Sequence, residues 1–166
     1  MTAYAKNRDV ETVERLNEEA KTKYGITPSK QRMNALIVAY AKSNNPMDAE
    51  KVLREMVRDG LRPDAVTYTT VIDAYKRTRN INKCWELYEY FTTNVGLEGE
   101  GKDADEFLLG YMVRLCAATH DAEKGIKIFN EMEQHGYVRH AIPYNSIIFA
   151  LASTKRYAEK AIEYWR

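Results

Sequence analysis

The chain has few cysteines, no surplus of either charge and no long apolar run, and each shortage removes a class of function. Cys84 and Cys116 are the only two cysteines. They make no disulfide framework and no CxxC pair for zinc or redox work, which fits a reducing compartment. Against 25 Lys and Arg stand 24 Asp and Glu, so net charge supplies no strong pull on polyanions. Apolar stretches fall far short of the roughly 20 residues of a transmembrane helix. No basic leader with an apolar core opens the chain, so no presequence is visible and no membrane association is expected. The sequence also lacks a nucleophile elbow, a P-loop, an HExxH pair and a carboxylate cluster outside helix surfaces. His120, His135 and His140 match no metal-ligand spacing and are expected to be solvated. The expectation is a protein that is not an enzyme and has no metal, cofactor or small-molecule substrate.

What is present is a repeat. Met33 to Tyr40 matches Tyr68 to Tyr75 at a displacement of 35 residues, and Leu109 to Val113 matches Tyr144 to Ile148 at the same displacement. The interval between these pairs is longer by six residues, which fall in the Gly-rich stretch Gly96 to Gly101, where an exposed loop tolerates insertion. Within each segment the apolar positions recur at i, i+3, i+4 and i+7: Met33/Leu36/Ile37/Tyr40, Tyr68/Val71/Ile72/Tyr75, Leu109/Met112/Val113/Cys116 and Tyr144/Ile147/Ile148/Leu151. That spacing is one face of an α-helix. A second stripe follows each first one at Ala49/Val52/Leu53/Met56, Cys84/Leu87/Tyr88/Phe91, Gly125/Ile128/Phe129/Met132 and Ala161/Tyr164/Trp165. The small residue heading each second stripe would let paired helices approach closely. Both cysteines occupy stripe positions and are expected in the core.

Breakers stand between the hairpins. Gly60-Leu61-Arg62-Pro63-Asp64 closes one second helix, and Gly25-Ile26-Thr27-Pro28-Ser29 closes another 35 residues earlier. Residues 9–23, with Val13, Leu16 and Ala20 inward, then form the second helix of a first, partial repeat, and Thr2 to Lys6 resemble the end of its first helix. The expected organisation is a single all-α array over 1–166. Its repeats are 1–29 (partial), 30–64, 65–105 with the six-residue insertion, 106–140 and 141–166 (partial). Such units bury their apolar faces by stacking, so open ends imply a longer parent chain, a capping partner or truncation.

Asn34 to Asp64, Val66 to Asp73 and Phe129 to Gly136 resemble pentatricopeptide repeats. The 35-residue period, the Tyr-Asn-Ser-Ile-Ile opening, the Glu-Met near the end of the second helix and the Gly-x-x-Pro-Asp finish occur together. A tetratricopeptide array has a period of about 34 residues and a Trp-x2-Leu-Gly opening that has no counterpart here. The resemblance implies a right-handed α-solenoid of stacked antiparallel hairpins with first helices on the concave face. It also implies single-stranded RNA as partner, one base per repeat, read by a polar residue early in the first helix and by the last residue of the repeat.

On that pattern the base-reading residues are Asn34 with Asp64, a pair that favours uridine, then Thr69 with Asp105, which favours guanosine, and Asn145, whose partner lies past Arg166. The pair fails at Gly110 and His140, because glycine has no side chain to read with. The residues that wedge against bases are Gln31, Val66, Phe107 and Ile142, of which Phe107 can stack. The phosphate-contacting cations are Lys6, Lys42 and Arg77, replaced by Ala118 and Ser153 in the later repeats. RNA is thus expected on the N-terminal hairpins.

Plainer roles exist for the same residues. Asn34 and Asn145 can cap a turn or bond a neighbouring hairpin, Asp64 can be an N-cap, and Tyr40, Tyr68, Tyr75 and Tyr144 are packing residues before they are platforms. The run Lys76 to Arg79 suits a solvated loop as well as it suits phosphate. Two functions follow from the resemblance. The first is an RNA-binding module in organellar, mitochondrial or plastid, RNA processing, stability or translation. The alternative is a scaffold in a mitochondrial ribonucleoprotein such as the mitoribosome or its assembly intermediates, touching protein partners and structured rRNA without a base code.

Overall fold

The computed structural model describes residues 10–95, 102–137 and 141–152 together with Tyr157 and Glu159; the side chains of 102–105 and 141–143 lie outside that description. Among the described residues every regular element is an α-helix. In order they are α1 (Val10–Thr22), α2 (Lys30–Lys42), α3 (Pro46–Arg58), α4 (Ala65–Arg77), α5 (Ile81–Asn94), α6 (Lys102–Thr119), α7 (Ala122–Gln134) and α8 (Ala141–Ala152). They fall into two compact units, Met1–Gly101 and Lys102–Arg166.

In the first unit α2 pairs with α3 and α4 with α5 as hairpins; α2 also packs beside α4, α1 beside α2, and α3 beside α4. In the second unit α6 packs on both α7 and α8, and α7 on α8. Helices α3, α4, α5 and α7 start where a short polar side chain accepts from an otherwise orphaned backbone N–H. Asn45 accepts from Asp48 N, Asp64 from Thr67 N, Asn80 from Lys83 N and Asp121 from Lys124 N. Pro46 at the first position of α3 removes a donor that would have lacked a partner.

The two kinds of turn are closed alike. At the end of each described second helix before a breaker stands a glycine in the left-handed region: Gly25, Gly60 and Gly136, with φ of 57°, 74° and 71°. The next residue returns an N–H to a carbonyl in the last turn, as from Leu61 to Met56 at 2.9 Å. Between the helices of a hairpin the same job falls to Asn44, Arg79 and His120, whose φ values of 56°, 61° and 57° are uncommon for side-chain-bearing residues.

The apolar stripes meet inside these hairpins. Leu36, Ile37, Leu53, Met56, Val71, Ile72 and Phe91 are buried in the first unit; Leu109, Met112, Val113, Ile128, Phe129, Met132 and Ile147 are buried in the second. Val13 is buried in α1, while Leu16 and Ala20 are only half-buried. Cys84 and Cys116 are both free thiols in the core, and burial pushes them up to about 11 and about 12. Small residues do permit close approach: a Cβ on Gly125 would stand 3.1 Å from Ile147 Cδ1 and 3.3 Å from Cys116 Cβ. Among the described residues no helix is long and apolar enough to cross a membrane, and no cluster of His, Cys, Asp or Glu could hold a metal.

Candidate nucleic-acid interface

The structure brings Asn34 and Asp64 together through a residue that the sequence reading passed over. Asp64 is the N-cap of α4: its Oδ1 accepts from Thr67 N at 2.9 Å and from the Thr67 hydroxyl at 2.8 Å. The same hydroxyl lies 3.1 Å from Asn34 Oδ1, on the neighbouring helix α2. Asp64 Oδ2 pairs with Lys30 Nζ at 2.7 Å. Burial opposes ionisation of Asp64, but the bonds from Lys30 and Thr67 outweigh it and hold the carboxyl below its usual range. Asn34 and Asp64 remain half-buried while Thr67 is 3% exposed beneath them. A signal for Thr67 was available, since it stands at the N3 spacing from the capping Asp64.

Thr69 is placed differently. It is 4% exposed, and its hydroxyl donates to the Ala65 carbonyl one turn earlier at 2.7 Å, a local bond open to any helical threonine. Asn145 is exposed on α8, and Gly110 is half-buried on α6. The wedge positions face solvent: Gln31 is exposed, Val66 is 53% exposed and Phe107 is 52% exposed. Both are larger exposures than packing alone would leave for apolar side chains, yet single exposed apolar residues are common. Lys6, His140 and Ser153 lie outside the described residues, as do the side chains of Asp105 and Ile142.

Arg77 is engaged within the protein. Its Nη2 donates to the Ala41 carbonyl at 2.7 Å, and Nη1 lies 3.5 Å from Asn44 Oδ1. Nε pairs with Asp73 Oδ2 at 3.0 Å. The guanidinium therefore satisfies a carbonyl at the C-terminal end of α2, where a cation also meets the negative end of the helix dipole. Lys42 is half-buried at the end of the same helix, and Ala118, in the corresponding place on α6, is exposed without a charge.

The tyrosines of the stripes are core residues with polar tips. Tyr68 is 1% exposed, its ring edge-on to Phe91 with centroids 5.0 Å apart. Its hydroxyl has no hydrogen-bond partner among the described residues, and burial pushes it up to about 12. Tyr40 and Tyr75 donate to Glu14 and Glu50 respectively, each on the second helix of the preceding hairpin. His120 and His135 are exposed, with rings against Phe149 and Tyr137. A cleft of about 500 Å³ opens between α1, α2 and α3, lined by Glu14, Asn17, Tyr40, Asp48, Lys51 and Glu55 among others. Its charges are mixed, and none of the anticipated site residues lines it.

Comparison with known proteins gives a consistent answer. The model of the PPR repeat family matches residues 32–77, and the PPR repeat model matches 66–92 and 109–137, together more than half of the chain. A chloroplastic pentatricopeptide repeat-containing protein of Arabidopsis thaliana is 32% identical over 99 residues, 60% of this chain and 11% of that protein. The mitochondrial 15S rRNA processing factor ppr3 of Schizosaccharomyces japonicus is 25% identical over 144 residues, 85% of this chain and 21% of that protein. Among solved structures, that of the pentatricopeptide repeat protein PPR10 in complex with an 18-nt psaJ RNA element matches with a TM-score of 0.67 and 20% identity. The match covers 98% of this chain and 23% of that one, and it shows the α-solenoid fold of stacked hairpins. The chain spans between 11% and 32% of the length of eight curated relatives that it matches.

Proposed function

This chain belongs to the pentatricopeptide repeat family, and from that premise we propose that it is a single-stranded RNA-binding module of an organellar protein. It acts in RNA processing, stability or translation, and takes one base per repeat along the face formed by first helices. The observation that carries this reading is the meeting of Asn34 and Asp64 through Thr67 on adjacent first helices, with Val66 exposed one residue from the contact. A half-buried amide beside an apolar side chain suits a base, whose edge needs a hydrogen-bond partner and whose face needs an apolar surface. Mitochondria are the proposed compartment, since one relative above is named for mitochondrial rRNA processing. A plastid is the alternative, from the relative named as chloroplastic. A catalytic role for this stretch is not part of the proposal.

One observation favours a second reading, a scaffold in a mitochondrial ribonucleoprotein that contacts protein and structured rRNA. Arg77, one of the cations expected to meet phosphate, is held by Ala41 and Asp73. Selection of the chain against a random single-stranded RNA pool separates the two. The leading reading expects enrichment of a U-G step, lost in the double substitution Asn34→Ala with Asp64→Ala. An unenriched pool, with retention only of folded RNA, favours the scaffold.

A further inference from the structure

A threonine hydroxyl has one proton and two lone pairs. The Thr67 hydroxyl oxygen lies 2.8 Å from Asp64 Oδ1 and 3.1 Å from Asn34 Oδ1, so its single proton can serve only one of two acceptors. Asp64 is the nearer, and as a carboxylate it is the stronger acceptor. With the proton committed there, the Thr67 oxygen faces Asn34 as an acceptor. A half-turn of the Asn34 carboxamide, which exchanges two ends of almost equal volume, then sets Nδ2 against Thr67 and leaves Oδ1 turned outward. Both oxygens of Asp64 are fixed by the protein: Oδ1 holds Thr67 through two bonds, and Oδ2 holds Lys30 at 2.7 Å.

We propose that Thr67 is a positioning residue for base selection, relaying the fixed Asp64 carboxylate to Asn34 and thereby setting which end of the Asn34 carboxamide meets the base. This rests on the reading of Asn34 as base-facing given above. An outward Oδ1 accepts from the N3–H of uracil, whereas N3 of cytosine carries no hydrogen and is itself an acceptor. A free carboxamide turns to suit either base; a held one discriminates. Arg32, Leu108 and Pro143, at the place of Thr67 in the other repeats, carry no hydroxyl, so the device belongs to this one repeat.

The test uses the 166-residue chain and single-stranded RNA oligonucleotides that differ only by U or C at one position. Thr67→Val keeps the shape and the backbone N–H that Asp64 caps but removes the hydroxyl; Thr67→Ser retains it. The wild type and Thr67→Ser are expected to favour U over C at one position. Thr67→Val should lose about five- to tenfold of that preference, the scale of one hydrogen bond, with the preference at the adjacent position unchanged. A Thr67→Val chain with undiminished preference overturns the proposal. NMR of the Asn34 side-chain amide in the RNA-free chain separates the two levels of inference. Its resonances should move on Thr67→Val and stay on Thr67→Ser. If they behave so while the wild type discriminates at no position, the base-facing reading of Asn34 fails, and Thr67's role in selection with it. If U is preferred while the Asn34 resonances ignore Thr67→Val, the role of Thr67 alone falls.

Discussion

Tyr75 donates its hydroxyl to the buried carboxylate of Glu50, tying the first helix of one hairpin to the second helix of the hairpin before it. Tyr40 does the same with Glu14 one repeat earlier. The tyrosine that ends each of these two apolar stripes thus also carries a polar tie between hairpins. Glu50 is 7% exposed and further held by Arg54 Nε at 2.9 Å, with Lys83 Nζ at 3.5 Å. Cys116 stands in the corresponding place on α6, where no hydroxyl is available. This is the point at which the repeat stops being uniform in its energetics.

Tyr75→Phe should cost about 1–3 kcal/mol of folding stability, because it leaves a buried carboxylate short of a donor while hardly changing packing. Tyr40→Phe should cost less, since Glu14 is exposed and water replaces the lost partner. Urea denaturation of both variants checks the difference. Equal losses would mean that burial of the acceptor does not govern the effect.

The same carboxylate predicts a pH dependence. Burial opposes ionisation of Glu50, but the bonds from Tyr75 and Arg54 and the charges of Arg54 and Lys83 prevail, so its folded carboxyl lies below the ordinary value of 4.5. A lowered folded value means that the unfolded chain binds the proton first as pH falls. The stabilisation is therefore whole above 4.5 and is lost as pH drops through the folded value. Denaturation midpoints measured on either side of that window should fall more steeply for the wild type than for Glu50→Gln. Parallel curves would assign acid sensitivity to other carboxylates, Asp64 among them.

The helices, their stripes and most of their caps were legible because each depends on local spacing. Asp64 followed by Ala65 reads as a helix start in any context, and Gly60 reads as a stop. The left-handed turn at Arg79 was not legible, since arginine does not signal positive φ, and histidine signals it only weakly at His120; the period, through Asn44, places both. The polar ties were hidden for another reason. Tyr75 to Glu50, Thr67 to Asn34 and Arg77 to Ala41 each join residues 25 to 36 positions apart. Periodicity says which side faces the core, but it does not say which polar tips meet across neighbouring hairpins. Thr69 illustrates the limit most simply, because a rotamer that bonds Ala65 turns the hydroxyl to its own helix.

Arg77 and Lys42 were given the same role by the sequence, and the structure shows Arg77 held within the protein by Ala41 and Asp73. Arg77→Ala should lower stability by about 0.5–1.5 kcal/mol through loss of the bond to the Ala41 carbonyl. Arg77→Lys should recover only part of this, because an ammonium cannot span Ala41, Asn44 and Asp73 in one planar fork. If RNA passes Lys42, Lys42→Ala should instead reduce the salt slope of binding by about 0.7 for a single strand. Thermal unfolding and salt titrations on the same variants check both halves. An Arg77→Ala chain as stable as the wild type would overturn the structural role of Arg77.

Gly125→Ala sets two known effects against each other. Alanine inside a helix is favoured over glycine by roughly 1 kcal/mol. Here the new methyl would lie 3.3 Å from Cys116 Cβ, an atom fixed next to its backbone, and 3.1 Å from Ile147 Cδ1, the free end of a flexible side chain. The isoleucine can turn away, but Cys116 can yield only if α6 and α7 part. Overpacking of a filled core costs typically about 1–3 kcal/mol, so the clash should win and the variant should be less stable than the wild type. Adding Ile147→Val removes the nearer contact. The double variant should therefore lose less than the two single losses added together, a coupling that a double-mutant cycle in urea measures directly. Strict additivity would mean that the helices separate enough to absorb the methyl, and that close approach at Gly125 does not hold α6, α7 and α8 in register.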